Sequence, residues 1–501
     1  QFLYTSLPFE MSKWTDDDAV FFEDLEESEA NRSDSLLKSP ASVLDPTGAL
    51  TRLYHKEMAR MGIGLTRERM REYLRDPLSH ECVVTLMYPR VAQKSYRGEK
   101  RFIVPQPSAE LKGGGWAAKQ KEVSRLWMDS MEHAERDVDF RDDQARSLLL
   151  SLGFDTTPIE ERQSFDMTTK HYAEAKVYVG DGQTRGYSEL IAHLTYGCVD
   201  VGMFGSGRIK TISKKSKSVR CIDHYLSIVS GKTICLYNRT RSQTGTARYI
   251  RFSPETGFYP TSDRWSSLQI HVVEYENGPL PYPEPTSFTT GDGFVTYGDI
   301  VKLVDTDSGF AFPRLYIRKV VDRQYAQLDG TRESVSQLHM VAFQLVDSPG
   351  CFLGISHDKI IQQKASPSQI ANRVVIPTGA IWTIISVAKS EYRFFESAGL
   401  PLVPHHPVPH IDNIDVIGFP GAHRLHLTGR GFTSSLQVWL SDQPLETLHG
   451  SCERWISRLP TFEDMIIASR IGRNDELPIS MVRNDGVVYR STHTVCYANI
   501  A

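Results

Sequence analysis

The sequence has few of the features that would make it an enzyme, a metal protein or a membrane protein. Its seven cysteines, Cys82, Cys198, Cys221, Cys235, Cys351, Cys452 and Cys496, are odd in number and scattered, with no C-x-x-C pair. That argues against a disulfide framework and a zinc site, and the thiols are expected to be reduced. No apolar run approaches the ~18 residues of a membrane-spanning helix, and no signal-peptide pattern opens the chain, so a cytosolic or nuclear protein without membrane contact is expected. There is no G-x-S-x-G, no H-E-x-x-H and no P-loop, and the Gly113-Gly114-Gly115 run lacks the Lys-Ser or Lys-Thr pair that phosphate binding requires. No enzymatic activity, cofactor or metal is therefore expected. His405, His406 and His410 sit among alternating prolines that extend the backbone, and no Cys lies nearby, which argues against a metal ligand set.

An excess of positive charge is also missing: the formal net charge is −4. The acids, however, are concentrated at the start, in Asp16-Asp17-Asp18 and in Glu23-Asp24-Leu25-Glu26-Glu27-Ser28-Glu29, so local basic patches survive elsewhere. Residues 1–62 lack sustained periodicity and read as an acidic disordered segment, with Trp14, Phe21 and Phe22 interleaved among the acids.

With 501 residues, two to four domains are expected. Folded structure should begin with a short docking helix: Thr66 is a suitable N-cap, Met70, Tyr73 and Leu74 share one face, and Pro77 ends it. Residues 117–148 have helical spacing at Val123, Leu126, Trp127 and Met131 and read as a surface helix and loop. From Arg208 to about Pro404 the pattern is short strands and turns, which points to a closed or nearly closed β architecture. Within it Ile234-Cys235-Leu236, a hairpin and Arg248–Arg251 echo Val301-Lys302-Leu303, a hairpin and Leu315–Arg318, and a third unit is expected near Cys351–Ile361, as in a β-trefoil. After a proline-stiffened linker, Pro401–His410, the segments Leu425–Phe432, Leu436–Trp439 and Ile479–Val482, turning at Asn484-Asp485-Gly486, read as sandwich strands of an immunoglobulin-like domain. The expected division is 63–207, 208–404 and 405–501.

The stretch that carries chemistry is Val91-Ala92-Gln93-Lys94-Ser95-Tyr96-Arg97-Gly98-Glu99-Lys100-Arg101-Phe102, closed by Pro105-Gln106-Pro107. An apolar strand leads into a loop rich in Lys and Arg, and another apolar run leaves it, so the loop is held at both ends. Lys94 and Lys100 suit phosphates, Ser95 and Tyr96 suit backbone oxygens, and Arg101 carries the planar fork that matches guanine O6 and N7, with Glu99 placed to hold it.

This stretch closely resembles the signature of the CSL family of transcription factors, the Suppressor of Hairless type that serves Notch signalling. The resemblance continues through Arg208-Ile209-Lys210-x-Ile212-Ser213-Lys214, Asn238-Arg239-x-Arg241-Ser242-Gln243-Thr244, Val335–His339, Trp382–Ser386 and Val482–Gly486, spanning roughly residues 63–501. It implies an all-β chain: a Rel-like N-terminal domain, a central β-trefoil and a C-terminal immunoglobulin-like Rel domain, with few short helices. It implies a nuclear protein, with a cytoplasmic pool, that binds double-stranded DNA as a monomer at GTGGGAA-like sites. Lys94, Ser95, Tyr96, Glu99, Lys100, Arg101, Lys210 and Lys214 would serve the major groove and backbone, and Arg239, Arg241, Ser242 and Gln243 the minor groove. The partners implied are the Notch intracellular region (peptide and ankyrin repeats), a Mastermind-type co-activator and co-repressors. Matching the family's peptide groove gives Phe288, Thr290, Ala311 and Gln362, with Thr290 where the family has valine. The lysine content after Trp116 and around Lys214–Arg220 is lower than is usual for the family. A competing reading is a β-trefoil that binds glycan or protein and no DNA; steep salt dependence of binding separates the two.

Overall fold

The structure is a computed structural model that describes residues 65–96, 98–133, 147–180, 186–196, 199–213, 226–239, 247–273, 290–330, 333–397, 403–419 and 421–500. The acidic segment lies outside these residues. The described chain is mostly strand, in three units.

In the N-terminal unit, strand Cys82–Pro89 pairs with Ser108–Lys112, which pairs with Tyr172–Glu174. A second sheet runs in the order Gln163–Asp166, Leu148–Phe154, Leu190–Tyr196 and Val199–Gly205. Alternate residues of both sheets, among them Val84, Leu86, Leu150, Leu152, Leu194 and Phe204, are buried in a common core. The period of two thus puts one face of each sheet inward.

The middle unit is a closed barrel of six strands. Lys232–Asn238 pairs with Leu268–Val273, then come Ile300–Asp305, Leu315–Val321, Met340–Leu345 and Trp382–Glu396, which returns to Lys232–Asn238. Closure removes the sheet edges, and Ile234, Ile270, Leu303, Ile317, Phe343 and Ile384 fill the interior. The three-unit trefoil expectation is met, with one adjustment. Leu315–Val321 takes the barrel place of Leu268–Val273 rather than that of Arg248–Ser253. The second unit has only a short cap, bridged at Val304 and Ala311, where the first and third have full hairpins at Arg248–Thr261 and Cys351–Lys364. The sequence echo matched apolar triplets and did not register that missing hairpin.

The C-terminal unit is a sandwich of the sheets His410–Ile417, Arg424–Arg430, Arg454–Arg458, Thr447–Gly450 and Leu436–Leu440, Leu477–Arg483, Val487–Val495. Its hairpin turns at Asn484-Asp485-Gly486, with Gly486 at φ 83°.

Strand Trp382–Glu396 connects all three units. Its first residues close the barrel, Val387–Phe394 pair with Cys82–Pro89, and Phe395 and Glu396 pair with Val488 and Val487. At its end Glu396 accepts from Lys119 and meets His405 Nε2 at 2.7 Å, while His405 Nδ1 lies 2.7 Å from the Tyr489 hydroxyl. All four side chains are buried. Burial pushes the His405 pKa down; burial would raise that of Glu396, but Lys119 and His405 hold it below the ordinary carboxylate value. Helix Gly115–His133 is therefore more than a surface helix, because Lys119 and Trp116 enter the interior. His405 is likewise a buried hydrogen-bonded side chain. The docking helix is present at Arg67–Arg75, capped by Thr66, and it packs Met70 and Tyr73 against Trp439 and Val488 of the C-terminal sandwich. Arg67 and Arg71 bind the buried Asp442 there at 3.0 and 2.7 Å.

Candidate nucleic-acid interface

The basic loop is built from the backbone outward. Strand Val91–Gln93 runs parallel to Ile209–Ile212, so Lys210 lies beside Val91. Lys94 N donates to Ile212 O and Ser95 N to Val179 O. The tip then reverses: Glu99 N donates to Tyr96 O at 3.1 Å, and Gly98 takes φ 77°, a conformation that glycine adopts without cost. Ser95 is buried and its Oγ accepts from Arg101 N at 3.0 Å, which ties the returning limb to the outgoing one. Phe102 bridges to Tyr178, and Ile103 N donates to Val177 O.

This frame leaves particular side chains outside. Tyr96, Phe102 and Tyr178 are large and exposed, with Phe102 edge-on to Tyr178 at 5.8 Å and the Lys100 ammonium 5.2 Å from the Tyr178 ring centre. The Arg101 guanidinium lies 3.5 Å from Glu99, an exposed contact of modest energy whose effect is orientation. Arg101 is thus restrained at its backbone by Ser95 and at its tip by Glu99.

Across from the loop stands the trefoil. A cleft of about 770 Å³ has Glu99, Lys100, Arg101 and Phe102 on one wall and Tyr237, Arg239, Arg323, Met340 and Thr383 on the other. Four cations and one carboxylate line it, a balance that suits a polyanion. Arg239 is exposed at the end of strand Lys232–Asn238. The preceding Asn238 is buried, and its amide donates to the carbonyls of Thr378 and Ile381, both at 2.8 Å, fixing where the chain leaves the barrel. Burial pushes the neighbouring Tyr237 hydroxyl up to about 12, and Arg239 opposes that shift.

The two walls are held at a fixed spacing. Trp265 of the trefoil donates from Nε1 to Gln106 O at 2.6 Å, Arg264 pairs with Glu110, and the Arg264 guanidinium sits 4.4 Å from the Tyr172 ring centre. Tyr237, Trp265, Leu338 and Ile385 form an apolar seam with Met87, Val104 and Ile212.

The structure therefore brings Lys100, Arg101, Glu99 and Arg239 into one cleft, with Lys94, Tyr96 and Lys210 in the same loop and its adjoining strand. Lys214, Arg241, Ser242 and Gln243 lie outside the described residues, as does Phe288. Of the other groove residues, Thr290, Ala311 and Gln362 are all exposed on the trefoil. Ala311 lies between Phe310, stacked on Phe252 at 4.4 Å, and Phe312, stacked on Phe258 at 3.8 Å. Sequence reasoning missed Asn238, Phe102, Tyr178 and the Trp265 clamp. Asn238 stood inside a quoted motif, whereas Tyr178 and Trp265 carry no local signal because their partners are distant in sequence.

Family models match three parts of the chain: "LAG1, DNA binding" over residues 84–223, "Beta-trefoil DNA-binding domain" over 254–382 and "TIG domain" over 408–497. The chain is 31% identical over 442 residues to the human recombining binding protein suppressor of hairless-like protein, covering 85% of this chain and 82% of that one. The Mus musculus protein of the same name is 31% identical over 447 residues, with 85% and 82% covered. Transcription factor cbf11 of Schizosaccharomyces pombe is 25% identical over 278 residues, 53% of this chain and 40% of that one.

Proposed function

Since this chain is a divergent member of the Suppressor of Hairless, or CSL, family of DNA-binding transcription factors, we propose that it regulates transcription in the nucleus by reading GTGGGAA-like elements as a monomer. The observation that carries this reading is the shared cleft, in which a restrained arginine on the N-terminal loop faces an arginine at the end of a trefoil strand. Arg101 serves as the base reader of the major groove, bidentate to guanine, and Ser95 and Glu99 orient it. Lys94, Tyr96, Lys100 and Lys210 hold phosphates, together with Lys214. Arg239, Arg241, Ser242 and Gln243 serve the adjacent minor groove, where an amide donates to N3 and O2 acceptors.

The same reading makes the trefoil a docking surface on which co-repressors exchange with a Notch-type intracellular region and its Mastermind-type co-activator. An extended peptide lies across Phe288, Thr290, Ala311 and Gln362. The exposed Phe310 on one side of Ala311 supports an apolar side chain being received there, while Phe312 on the other side anchors the segment in the trefoil core. A salt-titrated binding assay with a GTGGGAA duplex and a scrambled control tests the DNA reading. Cognate binding should exceed scrambled binding, and both should weaken steeply with salt. Equal affinity for the two duplexes would refute sequence-specific recognition.

A further inference from the structure

We infer that Arg323, at the tip of a trefoil hairpin, is a third arginine of the cleft and contacts a phosphate of the DNA backbone; the inference rests on the DNA-binding reading above. Arg323 lines the cleft together with Arg101 and Arg239 but comes from a third segment of the chain, the turn between strands Leu315–Val321 and Tyr325–Gln327. Val321 pairs with Tyr325, and Gln324 N donates to Val321 O at 3.2 Å, so the turn is tight. Asp322 and Arg323 both take positive φ, 52° and 56°. Two consecutive left-handed residues are the type I′ pattern, for which glycine and asparagine are the favourable choices and arginine is not.

The tip is also held in place. Tyr325 pairs with Val375, and Ile376 N donates to Gln324 O at 2.9 Å, so the hairpin is braced by the strand Arg373–Val375 and cannot swing freely. Nothing in the fold rewards the arginine itself. It is exposed and makes no hydrogen bond or ion pair among the described residues, and the neighbouring Asp322 does not line the cleft. A guanidinium braced in an unfavourable backbone conformation and directed to a cleft already lined by Lys100, Arg101 and Arg239 adds repulsion unless an anion is present. The duplex backbone supplies that anion.

A phosphate is favoured over a base edge by comparison with Arg101. Bidentate base reading needs an oriented fork, and Arg101 has Glu99 and Ser95 to orient it. Arg323 has no such partner, and a single charge held near the backbone needs none. The contact would extend the electrostatic footprint from the loop onto the trefoil without adding base selectivity.

Binding of Arg323→Ala and Arg323→Gly to cognate and scrambled duplexes, each across a salt series, tests this. Both variants should lose roughly fivefold in affinity near 0.15 M salt, by the same factor on both duplexes, and the slope of log K against log salt should shrink by about 0.9, one phosphate contact. Arg323→Gly should melt no lower than the parent, since glycine accepts positive φ freely, so its loss of affinity would not be a folding defect. Unchanged affinity and slope in both variants, on a parent protein that binds DNA with normal salt dependence, would overturn the inference and leave the DNA reading intact. A loss confined to one base pair at unchanged slope would equally overturn the phosphate assignment. A parent protein that binds neither duplex removes the underlying reading, and this inference with it.

Discussion

Replacing Glu396 by glutamine should destabilise the N-terminal and C-terminal units together. The carboxylate sits at the end of the strand that connects the three units and is 4% exposed, beside a Lys119 that is 1% exposed. It also receives His405, which in turn bonds the Tyr489 hydroxyl, and Arg483 reaches that hydroxyl at 3.3 Å. Removing one partner of a buried pair leaves the other charge desolvated and uncompensated, at a cost of about 3–5 kcal/mol. Against a typical stability of about 5–15 kcal/mol that is a large fraction. Replacing both Lys119→Met and Glu396→Leu removes the two charges at once and should recover most of the loss. Urea denaturation followed by tryptophan fluorescence has buried reporters on both sides, Trp116 against Phe394 and Trp439 against the docking helix. The expected result is an earlier midpoint for Glu396→Gln and a near-parental one for the double variant. A Glu396→Gln unfolding free energy within about 0.5 kcal/mol of the parent would refute the reasoning, because surface substitutions are of that size. The pH dependence has a definite sign. His405 and Glu396 both have depressed pKa values in the fold. Their contribution is therefore present above the unfolded values and is lost as pH falls, first below about 6.5 for the histidine and then below about 4.3 for the carboxylate. Raising the pH from 7 to 9 should not weaken this cluster.

Arg101→Ala should cost about 1–3 kcal/mol on the cognate duplex and relax selectivity at one base pair, measured against single-base variants; a uniform loss on all duplexes would make it a phosphate contact. Asn238→Ala strands carbonyls of Thr378 and Ile381 and should cost about 1–3 kcal/mol of stability while weakening DNA binding through Arg239, as thermal melts and binding run in parallel would register. Thr290→Val should tighten a Notch-type Φ-W-Φ-P peptide, where Φ is apolar, by about 1–3 kcal/mol in calorimetry, because the hydroxyl need no longer be desolvated. Ala311→Arg should block the same peptide and leave DNA affinity unchanged, and a variant that lost both would place Ala311 outside a peptide groove.

Some of this protein was legible in the residues alone because the causes were local. Thr66, Met70, Tyr73 and Pro77 specify a capped amphipathic helix within a dozen residues, and the period-two strands with Asn484-Asp485-Gly486 specify a hairpin. The density of Lys and Arg between two apolar runs likewise marks the loop 94–101 by composition alone. What the local pattern does not contain is which distant segment meets which. Residues 117–148 read as surface because their composition is polar, but Lys119 is buried once Glu396 arrives from the far end of the chain. Three histidines among prolines carry no local sign of their role, and it is packing against Phe394, Glu396 and Tyr489 that gives His405 its place in the fold. Ser95 reads as a phosphate ligand in sequence and is placed by the turn so that its hydroxyl holds Arg101. Arg323 carries no motif at all, since only barrel closure and the Trp265 clamp bring its hairpin to the cleft that Arg101 and Arg239 share. Propensity and periodicity act over a few residues and so survive in the sequence, whereas burial and electrostatic pairing depend on the three-dimensional approach of segments hundreds of residues apart, which only the tertiary structure decides.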